Sequence, residues 1–88
     1  MRIERHPNFK RSYKKRIAKN PQLLKKTEDR ITLFKKDPTN PILKDHKLSG
    51  IKNSFRAFSV TEDFRIVYMR VSEDYIILLD IGTHNQVY

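Results

Sequence analysis

Three apolar segments in the C-terminal third of the chain most constrain its fold. They are SFRAFSVT at 54–61, DFRIVYMRV at 63–71 and YIILLDIG at 75–82. Alternating apolar residues are typical of a strand with one buried face, whereas an unbroken apolar run is typical of a strand covered on both sides. The short turns between them predict an antiparallel meander in which the last strand is central.

The alternation also predicts which side chains share a face of the sheet. Phe58 and Val60 lie on one face of the first of these strands. In the next strand the two predicted faces are Phe64, Ile66 and Tyr68 on one side, and Asp63, Arg65, Val67 and Met69 on the other. Because successive side chains alternate across a strand, the first set is expected to face the core.

The N-terminal half predicts two amphipathic helices. Apolar stripes recur at helical spacing in both, as Phe9, Tyr13 and Ile17, then Leu24, Thr27, Ile31 and Phe34. Pro7 and Pro21 suit the first turn of a helix. His6 or Asn8 can cap the first helix and Asn20 the second, and Pro38 disfavours a helical conformation at Asp37. The very short connection predicts an antiparallel helical hairpin.

These elements predict an α+β fold in a single domain over residues 1–88. RIE at 2–4 is a candidate first strand, and TNPILKDHKLSG at 39–50 is expected to be an ordered loop anchored by Leu43 and Leu48. The expected architecture is βααβββ, with the N-terminal strand and the helical hairpin packed on a twisted antiparallel sheet.

The charge of the chain is uneven. Residues 1–56 hold 17 lysines and arginines against five acidic residues, a net of +12, whereas residues 57–88 carry −3 and the whole chain +9. Such a basic domain indicates a polyanionic partner. The absence of cysteine, of a signal-like N-terminus and of a membrane-length apolar run predicts a soluble, cytoplasmic protein without disulfides.

Several kinds of chemistry have no support in the sequence. The two glycines do not form a phosphate-binding loop, and there is no G-x-S-x-G motif. The three histidines lie on three different elements, which argues against structural zinc. No cofactor and no metal ion are therefore expected.

The remaining candidates lie on the face of the sheet away from the helices. Asp63 and Arg65 are expected there, and Asp80 joins His84 if the last strand stays regular. His46 and Arg56 are expected to converge on the same concave surface. Metal-free RNA cleavage needs a base for the ribose 2′-hydroxyl, an acid for the departing 5′-oxygen and a cation over the phosphorane. Histidine and arginine match these needs.

Each candidate also has a structural interpretation. His84 suits an ordinary surface position, and His46 a residue that braces its loop. Asp63 suits the shaping of a tight turn, and Arg65 an ion pair with Asp80 or Glu62. Tyr88 suits a place in the core at the sheet edge.

Taken together, HKLSG, FRAFSVTEDFRIVY and LLDIGTHNQVY resemble the RelE/ParE superfamily of toxin–antitoxin toxins. The similarity extends over essentially the whole chain and is greatest to the YafQ-like mRNA interferases. The most specific parts are DHKLSG, DFRIVY and the terminal GTH with an aromatic residue four positions on. The resemblance implies a toxin that cleaves mRNA in the ribosomal A site.

The resemblance also implies residue roles. His46, Asp63 and His84 match catalytic positions of YafQ-like toxins, Arg65 matches the catalytic arginine of the YoeB-like branch, and Tyr88 falls where an aromatic residue is carried. An aromatic ring there can stack on a substrate base. The side chains expected to bind RNA are Lys44, Lys47, Lys52, Arg56 and Tyr88.

Two positions depart from the YafQ pattern. Ser59 stands where these toxins have a second catalytic histidine, and Asp80 where they tend to have an arginine. Reduced activity is one expected consequence, and another is that Arg65 supplies the missing cation. An attenuated or inactive RNA-binding member therefore remains an alternative.

The implied partners are a cognate antitoxin, mRNA on the ribosome and, only through the antitoxin complex, operator DNA. No membrane partner is expected. Two further functions compete with RNA cleavage: ParE-like inhibition of DNA gyrase, and nucleic-acid binding without toxicity. The His/Asp/His set favours cleavage, because ParE-like chains generally lack it.

Overall fold

A computed structural model describes residues 1–50 and 54–88. These described residues form five strands, three α-helices and one 3₁₀ turn. In chain order they are β1 (Arg2–Arg5), α1 (Pro7–Arg16), α2 (Pro21–Lys36), the 3₁₀ turn (Pro41–Leu43), β2 (His46–Lys47), β3 (Arg56–Ser59), β4 (Phe64–Ser72), β5 (Tyr75–Thr83) and α3 (His84–Val87). The predicted α+β class is confirmed.

Both predicted helices begin at the expected caps. The His6 ring nitrogen Nδ1 accepts the Asn8 amide at 3.0 Å, and Asn20 Oδ1 accepts the Leu23 amide at 3.1 Å. Each cap satisfies a backbone donor that has no partner within the helix. Pro7 and Pro21 occupy the first turns, and α2 ends at Lys36, just before Asp37.

The sheet has the order β1-β5-β4-β3-β2. The strands from β2 to β5 pair antiparallel, as the meander prediction requires. β1 pairs with β5 in parallel, so the sheet is mixed rather than purely antiparallel. β5 is an interior strand between β1 and β4, although β4 holds the middle position.

The two faces of the sheet carry different apolar clusters. The helical side holds the main core, which contains Phe9, Ile17, Ile31, Phe34, Leu43, Phe58, Val60, Ile66, Tyr68, Ile76, Leu78 and Ile81. The opposite side holds a smaller cluster of Leu48, Ala57, Val67 and Val87. As predicted, Phe64, Ile66 and Tyr68 pack with the main core and Val67 lies in the smaller cluster, and Leu43 and Leu48 are buried anchors.

Three sequence expectations need correction. The segment 39–50 is not only a loop, because it contains the 3₁₀ turn and the edge strand β2. The chain does not end in the last strand, since α3 follows it. β5 is fully covered only on the helical side, because Ile77 and Leu79 on the other face are half-buried.

None of the helices in residues 1–50 and 54–88 is long and apolar enough to cross a membrane.

Candidate active site

Side chains from three separate elements converge on the sheet face opposite the helical hairpin. His46 comes from β2, Arg65 from β4, and His84 and Tyr88 from α3 and the residue after it. With Lys44 they line a cavity of about 320 Å³, called here the histidine cavity. An adjoining cavity of about 380 Å³ is lined by His46, Lys47, Leu48, Ser49, His84 and Tyr88.

The short helix α3 fixes the last two of these side chains. The Thr83 amide donates to Gln86 Oε1 at 2.8 Å, which is half of a capping box. Val87 is 4% exposed and packs in the small cluster with Ala57 and Val67. Burial of Val87 therefore holds His84 and Tyr88 on a packed element rather than on a frayed end.

Tyr88 links the two histidines. Its ring meets the His84 ring edge-on, with centroids 4.4 Å apart and planes at 79°. Its hydroxyl lies 3.3 Å from His46 Nε2, and the His46 ring is also edge-on to it at 6.2 Å. The three rings thus form one contact series along the wall of the cavity.

The contacts of His46 select one tautomer. His46 Nδ1 lies 3.0 Å from the Lys44 carbonyl oxygen. A carbonyl oxygen only accepts, so Nδ1 carries the proton. In the neutral ring, Nε2 then has a free electron pair, which accepts the Tyr88 hydroxyl. His46 therefore presents a basic nitrogen toward the cavity.

Arg65 is a cation that lines the same cavity as these rings. One guanidinium nitrogen, Nη2, donates to the Glu62 carbonyl at 3.2 Å, which leaves other donors of the fork available. Burial raises the pKa of the Tyr88 phenol, and the charge of Arg65 opposes that rise. The phenol consequently stays protonated and remains a donor at neutral pH.

The cavity is cationic. Lys44 and Arg65 line it as cations beside the two histidines, and no Asp or Glu side chain among the described residues does so. Nor do any three His, Cys, Asp or Glu side chains converge in a metal-binding arrangement in residues 1–50 and 54–88. The arrangement suits a phosphate group and proton transfer to or from its oxygens.

Asp63 lies apart from the histidine cavity. It sits in the turn before β4, where Thr61 Oγ1 accepts the amides of Asp63 at 3.3 Å and Phe64 at 3.0 Å. Its side chain lines a different cavity with Lys26 at the start of α2. The structural interpretation of Asp63 as a turn residue fits this position.

Asp80 does not join His84, because β5 ends at Thr83 and His84 begins α3. Val67 pairs with Asp80 but the next residue, Tyr68, pairs with Leu78, so Leu79 is an extra residue in β5. This bulge precedes Asp80, and the pairing from Asp80 to Thr83 is regular. Asp80 lies 3.4 Å from Arg16 at the end of α1 and forms an ion pair there.

The predicted RNA-binding residues divide into three groups. Lys44, Lys47 and Tyr88 line the two cavities on the open face. Arg56 does not, because its Nε donates to Asp45 at 3.2 Å and its side chain lines a cavity with Pro41. Lys52 lies outside the described residues.

Ser59, Asp45 and Tyr68 lie close to residues of the histidine cavity without lining it. Ser59 lies opposite Arg65 in the sheet and donates to the Thr61 carbonyl at 2.6 Å. Sequence reasoning missed Asp45 and Tyr68, which bond to each other next to His46. A signal was present, since a tyrosine on a core-facing strand position needs a partner for its hydroxyl.

The fold is that of the RelE-type toxins of bacterial toxin–antitoxin systems, with a helical hairpin on one side of the sheet and, here, a basic cavity on the other. The family model for the bacterial toxin YafQ of type II toxin–antitoxin systems matches residues 1–88. The chain therefore belongs to the YafQ toxin family.

Solved structures agree with this assignment. A copper-bound mutant toxin from Helicobacter pylori is 29% identical, with a TM-score of 0.74 over 100% of this chain and 99% of that one. E. coli YafQ is 21% identical, with a TM-score of 0.80 over 99% and 97%. YoeB in the YoeB–YefM complex from Staphylococcus aureus is 20% identical, with a TM-score of 0.74 over 96% and 97%. The last two show the fold alone. No curated protein matches the chain by sequence.

Proposed function

We propose that this toxin is a ribosome-dependent mRNA endoribonuclease that works without a metal ion. The observation that carries the proposal is the convergence of two histidines, Arg65, Lys44 and Tyr88 on one cavity. In the proposed reaction the ribose 2′-oxygen loses its proton and attacks the adjacent phosphorus. The bond to the 5′-oxygen breaks, that oxygen takes a proton, and the products end in a 2′,3′-cyclic phosphate and a 5′-hydroxyl.

Each requirement of this reaction has a candidate side chain. His46 is the candidate base, because its Nε2 holds an electron pair on the cavity side. His84 is the candidate acid, because imidazole is available in both protonation states near neutral pH. Arg65 is the candidate cation for the charge that develops on the phosphoryl oxygens. Asp63 has no part in this proposal because it lies in the turn on another cavity.

Lys44, Lys47 and Tyr88 are the proposed RNA-binding residues. The two lysines line the cavities as positive charges for the phosphate backbone. Tyr88 is 37% exposed, so part of its ring is free to stack on a base. Stacking of a base on an aromatic side chain is worth roughly 1–3 kcal/mol.

The proposed protein partner is a cognate antitoxin. Structures of relatives include the E. coli DinJ–YafQ toxin–antitoxin complex and the S. aureus YoeB–YefM complex. For this chain we expect an acidic antitoxin segment, because residues 1–56 carry a net charge of +12. Binding to operator DNA is expected only through that complex.

The test is cleavage by a His84→Gln variant on translating ribosomes. Glutamine keeps a similar size and hydrogen-bonding groups but does not titrate near neutrality. General acid–base catalysis contributes about 10²–10⁴-fold, so the single-turnover cleavage rate is expected to fall by that factor. Growth arrest on expression is expected to weaken in parallel, while circular dichroism and antitoxin binding stay unchanged.

The matched control is His6→Asn, which removes a histidine outside the cavity and keeps a good helix cap. This control is expected to cleave at the parental rate. Parental cleavage by a folded His84→Gln variant would remove His84 from the mechanism. A parental protein that is toxic but leaves ribosome-bound mRNA intact would contradict the nuclease proposal and favour gyrase inhibition.

A further inference from the structure

The core residue Tyr68 reaches the segment that carries His46. Tyr68 is fully buried on the helical side of the sheet, between the rings of Phe34 at 4.9 Å and Phe58 at 5.9 Å. Its hydroxyl lies 2.8 and 2.7 Å from the two carboxylate oxygens of Asp45 and donates to that carboxylate. Asp45 directly precedes His46 in the chain.

Arg56 completes a three-residue cluster. Its Nε lies 3.2 Å from Asp45 Oδ1 and 3.2 Å from the Tyr68 hydroxyl oxygen, and it donates to both. The Asp45 side chain is only 17% exposed. A mostly buried carboxylate with these partners is costly to move, because any other position leaves it without them. The carboxylate thus fixes its own backbone in place.

The backbone between the cluster and the cavity has an unusual conformation. Lys44 adopts a left-handed conformation with φ 48° and ψ 39°, which is unfavourable for a residue with a side chain. Its amide donates to the Pro41 carbonyl at 3.1 Å, and its own carbonyl accepts from His46 Nδ1 at 3.0 Å. Such a conformation persists only where neighbouring contacts hold it.

We infer that Tyr68 and Asp45 are positioning residues, which act from the helical side of the sheet to hold His46 in its Nδ1-protonated tautomer facing the cavity. The Tyr68 hydroxyl bonds to Asp45, a peptide bond joins Asp45 to the Lys44 carbonyl, and that carbonyl accepts from His46 Nδ1. Neither residue lines the histidine cavity. This inference rests on the proposed function, in which His46 is the base.

The hydroxyl of Tyr68 keeps its proton throughout the neutral range. Burial, followed by the hydrogen bond to Asp45, raises the pKa of Tyr68 to about 12. The contact with Asp45 is therefore a constant support rather than a switch. A phenylalanine ring would fill the same apolar site, so packing alone does not require the hydroxyl group of Tyr68. The hydrogen bond to Asp45 gives that hydroxyl group a role.

The experiment compares Tyr68→Phe with Tyr75→Phe. Tyr75 also donates to a carboxylate, that of Glu4 at 2.6 Å, but at the β1–β5 edge of the sheet. Small displacements of catalytic groups cost up to about 100-fold in rate, so Tyr68→Phe is expected to slow single-turnover cleavage 10- to 100-fold. The affinity for substrate RNA on the ribosome is expected to stay within twofold, and Tyr75→Phe is expected to cleave normally.

A second readout does not depend on catalysis. Nitrogen-15 NMR of the imidazole groups distinguishes the two neutral tautomers of His46. The parental protein is expected to show the Nδ1-protonated form, and Tyr68→Phe a mixture of both forms. Asp45→Asn keeps an oxygen acceptor for Tyr68 and is expected to lose less activity than Asp45→Ala, which provides a second test if Tyr68→Phe does not fold.

A folded Tyr68→Phe variant with the parental rate and the parental His46 tautomer would overturn the inference. Equal losses in Asp45→Asn and Asp45→Ala would also overturn the hydrogen-bonding role. A third outcome is that the parental protein cleaves no RNA while Tyr68→Phe still changes the His46 tautomer. That outcome would support the positioning of His46 and overturn the proposed function instead. The two ideas therefore fail separately.

Discussion

Tyr88 shows how one residue joins parts of the chain that are far apart in sequence. Its hydroxyl contacts His46 of β2, and its ring contacts His84, four residues earlier. Because burial raises the pKa of the phenol, the hydroxyl donates to His46 Nε2 while that nitrogen is unprotonated. A substrate hydroxyl that reaches Nε2 therefore has to replace Tyr88 as the donor.

Arg65→Ala is expected to lower cleavage more than RNA binding. In the proposed reaction Arg65 stabilises charge that develops mainly in the transition state, so its removal is expected to lower the cleavage rate. Removing one such stabilising group typically costs about 10²–10³-fold. Single-turnover cleavage and equilibrium RNA binding measure the two effects separately.

Arg70→Ala is the control for that experiment. Arg70 lies on the same strand and donates to the Glu73 carbonyl at 2.9 Å, much as Arg65 donates to Glu62. It does not line the histidine cavity. If Arg65→Ala and Arg70→Ala cleave RNA at the same rate, Arg65 has only a structural role.

At the scale of elements, side chains of α1 and α3 approach the backbone of β5 closely at Gly82. A side-chain carbon at Gly82 would lie 2.6 Å from Gln86 Oε1 and 2.7 Å from an Arg16 guanidinium nitrogen. Gln86 accepts the Thr83 amide, and Arg16 donates to the Ile81 carbonyl at 2.9 Å. The glycine thus allows α1, β5 and α3 to meet at one point.

Val87→Ala is expected to weaken the attachment of α3 and slow cleavage about tenfold. The lost methyl groups and the resulting space cost about 2 kcal/mol. His84 and Tyr88 lose their fixed positions because Val87 is what packs α3 on Ala57 and Val67. Urea unfolding and single-turnover cleavage measure the two effects.

Val60→Ala provides the comparison for this loss of stability. Val60 is 1% exposed but belongs to the main core on the helical side. It is expected to lose similar stability and keep its cleavage rate while folded. The role of α3 would be refuted by the same loss of cleavage in both variants.

Glu28 connects three elements and gives a prediction for pH. Burial tends to raise the pKa of Glu28, but hydrogen bonds from Arg5 and Tyr13 outweigh it and lower the pKa below its usual value. The stabilisation is thus complete above the unfolded pKa of about 4.3 and is lost as the pH falls through the folded pKa. We expect a loss of up to about 1 kcal/mol, because the pair is partly exposed.

Urea unfolding from pH 6 downward measures this effect. Glu28→Gln is expected to be less stable than the parental protein at pH 6, with the difference narrowing below about pH 4. Asp29→Asn is the control, since Asp29 pairs only with exposed Lys25 among the described contacts. A difference that stays constant with pH would contradict the assignment.

The sequence predicts the helices and β4 well because their signals are local. Asn20 and Pro21 mark a helix start by their own chemistry, and the alternation around Ile66 follows from burial on one face. β5 is harder, because an unbroken apolar run has no alternation that would reveal the extra residue Leu79. The error over Asp80 has another cause, because the strand ends at Thr83 and His84 begins α3.

The positions of the site residues were predictable from the sequence only where a local pattern determines them. His46 and His84 meet as expected, although β2 has only two residues and exists because β3 lies beside it. The capping-box spacing of Thr83 and Gln86 would have predicted α3. The Tyr68–Asp45 bond spans 23 residues of chain, and no local pattern predicts which partner a buried hydroxyl finds.

At the scale of the whole molecule, charge is the dominant feature. The net of +12 over residues 1–56 includes a cluster on and just after α1, where Arg11, Lys14, Lys15 and Lys19 line one cavity. We expect the affinity for an acidic antitoxin to fall roughly tenfold between about 0.05 M and 0.5 M salt, because screening weakens attraction between exposed charges. Titration calorimetry measures the dissociation constant at each ionic strength.

The control replaces the added salt with sucrose, which changes the osmotic conditions without screening charge. Sucrose is expected to leave the affinity unchanged. A dissociation constant that is the same at low and high salt would argue against an electrostatic share in antitoxin binding.

The parallel pairing of β1 with β5 has a consequence for the order of folding. Arg2 pairs with Tyr75, so this contact closes a loop that contains most of the chain. Closing a long loop costs more entropy than forming a local hairpin, and contacts distant in sequence slow folding. The helical hairpin and the β3–β5 meander are therefore expected to form first, with β1 docking last. Until then β5 is an open edge, available to strands of other molecules.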